Sequence, residues 1–278
     1  MRKLHAVLIV LLLLLAPSCS PAQQEEAAPD QENQEGFSPV NEGVLTVATN
    51  LPAPGFWNGD DPSQITGGFE YGIAQELAKR LNLDGVRVVN VSFDALVAGQ
   101  AKDFDVAFSQ VTITDERAEV VDFTEPYYSS DQGVMVRRGT RVPDLAAAKR
   151  LRWGVQASTT GQTFVEEQIE PEAEALVYSE TTQAFTALQA NQVDAVLLDT
   201  AIVLGQASQP GSPFEVVGQF RSGEAYGGVL PKGSANLEEI NRHLKAMVDD
   251  GTVSRLGDQF LAPQFGSDPA KVPYIEVG

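Results

Sequence analysis

The sequence predicts an α/β protein built from two similar halves, each a mostly parallel sheet flanked by helices. Three observations predict it. From Val44 onward, short β-branched runs alternate with amphipathic helical patterns, the signature of parallel strands joined by helical crossovers. A unit of Ala- and Leu-rich helix, turn, acid and strand occurs twice, ending once in Asp105-Val106-Ala107-Phe108-Ser109 and again in Asp194-Ala195-Val196-Leu197-Leu198-Asp199. The pattern also restarts after the polar Arg138-Gly139-Thr140, which reads as a crossing between domains. A length of 278 residues with 43% hydrophobic side chains suffices for two modest cores.

Charge and composition exclude several classes. The formal net charge is −19, from 19 basic and 38 acidic residues, which argues against nucleic acid and against an anionic membrane surface as partners. Cys19 is the single cysteine, so no internal disulfide staples the fold. The two histidines are His5, within a leader, and His243, in a helical pattern. One remaining imidazole disfavours His-based metal clusters and Ser/His/Asp triads, so neither a metal nor a cofactor is expected.

Residues 1–18 read as a signal peptide. Arg2 and Lys3 supply the positive start, and Ala6 to Ala16 is an apolar run shorter than the roughly 20 residues a membrane span needs. Ala16-Pro17-Ser18-Cys19-Ser20 resembles a lipobox, with Ala16 where leucine is usual, so Cys19 is the expected lipid attachment point. Cleavage as an ordinary secretory signal is the alternative. Residues 19–42 then form the lipid anchor and a disordered linker, because the acidic, glutamine-rich Gln23 to Glu35 holds too few apolar groups to offset ordering.

Ordered structure is expected from Val44. Val44 to Thr49 is a strand, followed by a Pro- and Gly-rich loop carrying Phe56 and Trp57. Ile73, Leu77 and Leu81 recur at every fourth position and mark an amphipathic helix. Val86 to Val91 is a strand, and Ser92 can cap a helix holding Phe93, Leu96 and Val97. After the strand Val106 to Phe108, Val121 to Ser130 is extended and aromatic, and Gly133 to Arg137 is a further strand. In the second half, Pro143 to Arg150 is a helix, Leu151 to Gln156 a strand and Ala157 to Gly161 a polar turn before a helix with Phe164, Val165 and Ile169. Leu176 to Tyr178 is a strand, Thr181 or Thr182 caps a helix with Phe185 and Leu188, and Asp194 to Asp199 is a strand. Phe214 to Val217 and Gly223 to Leu230 precede two C-terminal helices, marked by Leu237, Ile240, Leu244 and Met247 and by Val253, Leu256 and Phe260.

The turn after the third strand, Ser109-Gln110-Val111-Thr112-Ile113-Thr114-Asp115-Glu116-Arg117, is the densest chemical feature. Thr114 suits a helix N-cap, with Asp115 and Glu116 in the first turn. Ligands of open α/β sheets sit beyond the carboxyl ends of strands, where this turn lies. Arg117 can make a two-pronged pair with a carboxylate, assisted by Thr112 and backbone N–H groups. The competing possibility is a surface pair between Arg117 and Glu116 or Glu119.

Gly68-Phe69-Glu70, Val111 to Arg117, Val121-Asp122-Phe123-Thr124-Glu125-Pro126-Tyr127-Tyr128, Gly154-Val155-Gln156, Thr159-Thr160-Gly161 and Val193 to Asp199 together resemble the family 3 extracellular solute-binding proteins of ABC transporters, over about Val44 to Leu261. The resemblance implies a two-lobed, periplasmic-binding-protein-like fold of type II. Residues 43–137 and 228–278 would form lobe 1, and residues 138–227 lobe 2. It further implies a monomer that captures an L-amino acid and delivers it to an ABC permease. In that resemblance Arg117 holds the ligand α-carboxylate, with Thr112 and the N–H groups of Thr159 or Thr160. Asp199 receives the α-ammonium together with the backbone carbonyl of Gln110, and Phe69 packs on the ligand side chain. Asn50 stands where many members carry an acid, which disfavours a basic ligand. Gln156 could bond an amide or carboxylate, so glutamine or glutamate is expected.

Bland alternatives stand beside these roles: core packing for Phe69 and Trp57, and helix capping for Asp199. Two other functions compete. One is a cyclohexadienyl or arogenate dehydratase-like enzyme, for which Glu70 and Glu180 are the unplaced acids. The other is a ligand-sensing subunit of a membrane receptor.

Overall fold

The computed structural model describes residues 36–277; Cys19, the leader and most of the linker lie outside the described residues. The last stretch of the predicted linker is docked rather than loose. Phe37 packs on the first core, Ser38 N donates to Asn236 Oδ1, and Val40 N donates to Asp105 Oδ1. Side-chain acceptors of the folded body satisfy this backbone, so order begins several residues before Val44.

The first half runs β1 (Val44–Thr49), α1 (Phe69–Arg80), β2 (Gly85–Asn90), α2 (Phe93–Val97), β3 (Val106–Ala107), α3 (Asp115–Ala118) and β4 (Val121–Arg137). The second runs α4 (Leu145–Lys149), β5 (Trp153–Gln156), α5 (Thr160–Phe164), β6 (Leu176–Tyr178), α6 (Thr181–Gln189), β7 (Ala195–Asp199), α7 (Thr200–Ala207) and β8 (Phe214–Pro231). Helices α8 (Leu237–Asp249) and α9 (Thr252–Phe260) follow. A π-helical turn, Val165–Ile169, extends α5 and buries Val165 and Ile169.

The strands form one sheet in the order β2-β1-β3-β8-β4-β7-β5-β6. β1 lies parallel between β2 and β3, and β5 lies parallel between β6 and β7. The repeated helix–turn–acid–strand unit of the sequence is thus repeated in topology. The two triplets are joined by β4 and β8, which pair antiparallel along nearly their whole length with register shifts at their middles.

Each of those long strands replaces two shorter predicted ones. Gly133 reads as a break in sequence, yet it stays in strand because α7 passes over it: a Cβ there would lie 2.5 Å from Val203 Cγ2 and 2.9 Å from Thr200 Cα. The strands β4 and β8 thus run continuously between the two triplets. Helix α7 has no signal of its own in the sequence. Its residues are apolar nearly all round because it serves two cores, with Ala201 and Leu204 in one and Val203 and Ala207 in the other.

Trp57, Phe69, Leu77, Tyr226 and Leu244 anchor the large core under β1 and β3, joined by α1, α8 and α9. Trp153, Val155, Leu197 and Phe220 anchor a core of the second half. Ile275 packs in that second core, so the C-terminal segment reaches beyond the 228–278 assignment to the first half.

Candidate functional site

The carboxyl ends of β1, β3, β5 and β7 converge on one cleft. Asn50, Ser109, Gln110, Gln156 and Asp199, one or two from each strand end, line a cavity of about 100 Å³ together with Thr159, Thr160, Phe93, Phe185 and Ile202. Both halves contribute, as expected where parallel strands of an open sheet end.

Asp199 is the distinctive group. It is buried, and its Oδ1 has no hydrogen-bond partner among the described residues. It stands at the N-terminus of α7 but makes no side-chain capping bond, which removes the capping alternative. Burial, followed by the nearby Glu224 carboxylate, pushes its pKa up to about 8. The Tyr226 hydroxyl and the Arg117 charge oppose that rise, and a buried carboxylate is costly unless protonated, hydrogen-bonded or met by a cation.

Arg117, from the other half, does not itself line the cavity; it lies behind Phe93, which does. Thr114 Oγ1 accepts from Arg117 N, so the predicted cap forms and starts α3. The buried guanidinium lies 5.5 Å from the centre of the Phe93 ring and donates to Thr112 O at 2.7 Å and, across the halves, to Ser158 O at 2.8 Å. Among the described residues neither Glu116 nor Glu119 forms an ion pair with it. Burial lowers its pKa, and the charges of Asp199, Glu224 and Glu116 oppose that.

The hydroxyl of Thr112 is engaged elsewhere: it donates to Glu224 Oε2 at 2.8 Å. Thr160 Oγ1 donates to the same oxygen at 2.9 Å, and Gln132 Nε2 donates to both oxygens at 3.1 Å. Glu224, on β8, was not singled out by the sequence. The available signal was an acid inside a run of small and apolar residues, Gly223 to Val229. Thr159 accepts from Gln162 N as the cap of α5. Gln156 Nε2 donates to Ser179 O, and Asn50 Nδ2 to Val91 O, so both amides face the cavity while tied to backbone.

Phe69 lies away from this cavity. It is only 1% exposed and sits in the first core among Phe56, Tyr127 and Tyr128, outside the cleft lining, because the first turn of α1 points into the sheet. Phe56 and Trp57 are buried there too, and the loop instead presents Pro52 and Pro54 to the cavity.

Glu70, an unplaced acid in the sequence, is fully buried beside Phe69 and reaches under the β3–α3 turn. Its Oε1 accepts from Gln110 N at 2.9 Å and Tyr127 Oη at 2.5 Å; its Oε2 accepts from Trp57 Nε1 at 2.8 Å and from Gln110 Nε2. Burial raises its pKa and the four donors oppose that rise. Gln110 holds a left-handed φ of 50°. That conformation costs an L-residue about 1–2 kcal/mol, and hydrogen bonds to a charged group return about 1.5–3 kcal/mol each. Among the described residues no metal-binding cluster of His, Cys, Asp and Glu occurs.

Residues 45–263 match the family model of bacterial extracellular solute-binding proteins, family 3. The chain belongs to this family. Its relatives include the ABC transporter glutamine-binding protein GlnH of Bacillus subtilis (strain 168), 28% identical and covering 98% of this chain and all of the relative. ABC transporter arginine-binding protein 1 of Escherichia coli (strain K12) is 32% identical over 70% of this chain and 81% of its own. Among solved structures, an ancestral arginine-binding protein bound to glutamine has a TM-score of 0.71 at 31% identity, covering 79% of this chain and 98% of that one. An ancestral amino-acid-binding precursor of cyclohexadienyl dehydratase has a TM-score of 0.69 at 28% identity, covering 79% of this chain and 95% of that one. The family is one of amino-acid binding proteins of ABC transporters, and these sequence relatives are transport binding proteins rather than enzymes.

Proposed function

We propose that this family 3 protein captures a polar, non-basic L-amino acid, such as glutamine or glutamate, between two lobes joined by β4 and β8, and delivers it to an ABC permease. The observation that carries the proposal is the unpartnered, buried Oδ1 of Asp199 in the cleft lining, with the buried Arg117 of the other half behind the lining residue Phe93. A zwitterion entering that cleft answers both charges, and a buried charge requires such an answer. Arg117 takes the α-carboxylate, with backbone N–H groups near Thr112, Thr159 and Thr160. Asp199 and the Gln110 carbonyl take the α-ammonium. The remaining lining supports a non-basic side chain, since Asn50, Gln110, Gln156 and Gln206 are amides and Asp199 is the one acid among the cavity-lining residues. The glutamine-binding relative that spans nearly the whole chain points the same way.

Lipid on Cys19 would hold the protein on the extracytoplasmic face of a membrane. Cys19→Ser should then move it from the membrane fraction to the soluble one, and continued membrane partitioning would count against the anchor. For the ligand, a thermal-shift screen of the common amino acids should single out glutamine or glutamate, since a ligand of the native state alone raises its melting temperature. A dominant shift with arginine or lysine would overturn the non-basic assignment.

A further inference from the structure

Glu70 does not line the cleft, yet it holds Gln110, which does. It is enclosed in the first core, and it grips Gln110 twice, at the backbone N–H and at the side-chain amide. Two bonds to one residue fix its rotation as well as its position. Gln110 is held in the left-handed region, φ 50°, at a point where the chain turns from β3 toward Arg117. No described residue donates to its carbonyl oxygen. Trp57 Nε1 shares itself between Glu70 and Phe108 O at 3.1 Å, so the same cluster also holds the last residue before the turn.

We infer that Glu70 is a positioning residue that, through its double grip on Gln110, aims the Gln110 carbonyl at the ligand α-ammonium and so sets how strongly the protein distinguishes an α-amino from an α-hydroxy acid. The inference rests on the zwitterion proposal above. Its physical content is specific. Releasing Gln110 lets φ relax to negative values, which swings the carbonyl away from the cleft, while Arg117, held by Thr112 O and Ser158 O, stays in place. The α-carboxylate half of recognition survives and the α-ammonium half weakens.

The test uses Glu70→Gln, which keeps the shape but places an NH₂ donor against donors, with Tyr127→Phe as a control that removes one donor to Glu70 and leaves both Gln110 bonds. The probes are L-glutamine and its α-hydroxy analogue, titrated by calorimetry. Glu70→Gln should weaken glutamine at least about tenfold while changing the α-hydroxy analogue by less than about threefold; Tyr127→Phe should leave the ratio of the two affinities unchanged. Equal weakening of both probes by Glu70→Gln, or a matching change in Tyr127→Phe, would overturn the positioning role. A ligand-free measurement separates this inference from the zwitterion proposal. Amide hydrogen exchange in residues 108–113 should speed up in Glu70→Gln and not in Tyr127→Phe. Faster exchange in a protein whose wild type binds no amino acid would sustain the grip and sink the zwitterion proposal. Unchanged exchange would sink the grip itself.

Discussion

At the scale of single residues, the site is a question of who answers the charge of Asp199. Its carboxyl sits at about 8 in the fold, against roughly 3.9 in an unfolded chain. A folded-state value above the unfolded one gives a stabilising contribution that is full below about pH 4 and is lost as pH rises through about 8, at up to about 1.4 kcal/mol per pH unit. Asp199→Asn should therefore flatten this part of the pH profile, raise the melting temperature of the ligand-free protein at pH 8, and abolish amino-acid binding. An Asn variant no more stable than wild type at pH 8 would show that the carboxylate is not strained in the empty site. Binding has the complementary sign. At pH 7 the empty site holds a proton on Asp199 that a ligand ammonium displaces, so close to one proton leaves per ligand bound and affinity climbs with pH toward about 8. Calorimetry in buffers of different ionisation enthalpy reads that proton directly, and no release would separate Asp199 from the ammonium. Arg117→Lys keeps the charge but cannot hold Thr112 O, Ser158 O and a ligand carboxylate together, so affinity should fall about tenfold or more. Arg117 and Asp199 stood out in the sequence because each ends a recognisable motif, and the fold buries both. Glu224 was not, because its role depends on Thr112, Gln132 and Thr160, which lie far from it in the chain and meet only in the fold.

At the scale of elements, most strands and helices were legible because their periodicity is local. Helix α1 follows the Ile73-Leu77 spacing, and β5, β6 and β7 are short apolar runs bounded by turns. The misses share one cause: β4, β8 and α7 are shaped by each other. An aromatic, glycine-interrupted run reads as two strands until a helix is laid against its glycine. Gly133→Ala tests that packing. Its Cβ would meet Val203 Cγ2 at 2.5 Å and the Thr200 backbone at 2.9 Å, so α7 must lift from the sheet. Overpacking of this kind costs about 1–3 kcal/mol, and urea unfolding should show it. Gly85→Ala, where a Cβ meets nothing within 4 Å, should change stability by less than about 0.5 kcal/mol. If both variants unfolded alike, α7 would not be pressed against Gly133.

At the scale of the whole molecule, the two repeated triplets are tied by the strands β4 and β8, by helix α7 and by the C-terminal segment, which lies beyond the family match that ends at residue 263. Its reach could not be read from sequence, since Val272, Tyr274 and Ile275 form no periodic pattern and acquire partners only once the sheet exists. Val272 packs in the first core and Ile275 in the second. Between them, Gln219 of β8 donates to Pro273 O at 2.8 Å and accepts from Ile275 N at 2.8 Å, and its side-chain amide donates to Val272 O at 3.0 Å. Tyr274 Oη donates to Asp131 Oδ2 at 2.6 Å, and the Arg221 guanidinium lies 3.9 Å from the centre of the Tyr274 ring. A segment seated in both cores resists any motion that separates them. Truncation after Ser267 should therefore act twice. Losing the buried Val272 and Ile275 removes about 1.5–3 kcal/mol each, so the urea midpoint should fall. Releasing the tie should also widen the ligand-free ensemble, seen by small-angle scattering as a larger radius of gyration. With saturating ligand the truncated and intact proteins should match, because the ligand then supplies the contact between halves. A truncated protein that loses stability but keeps the intact radius in the empty state would make the segment a core plug and not a tie.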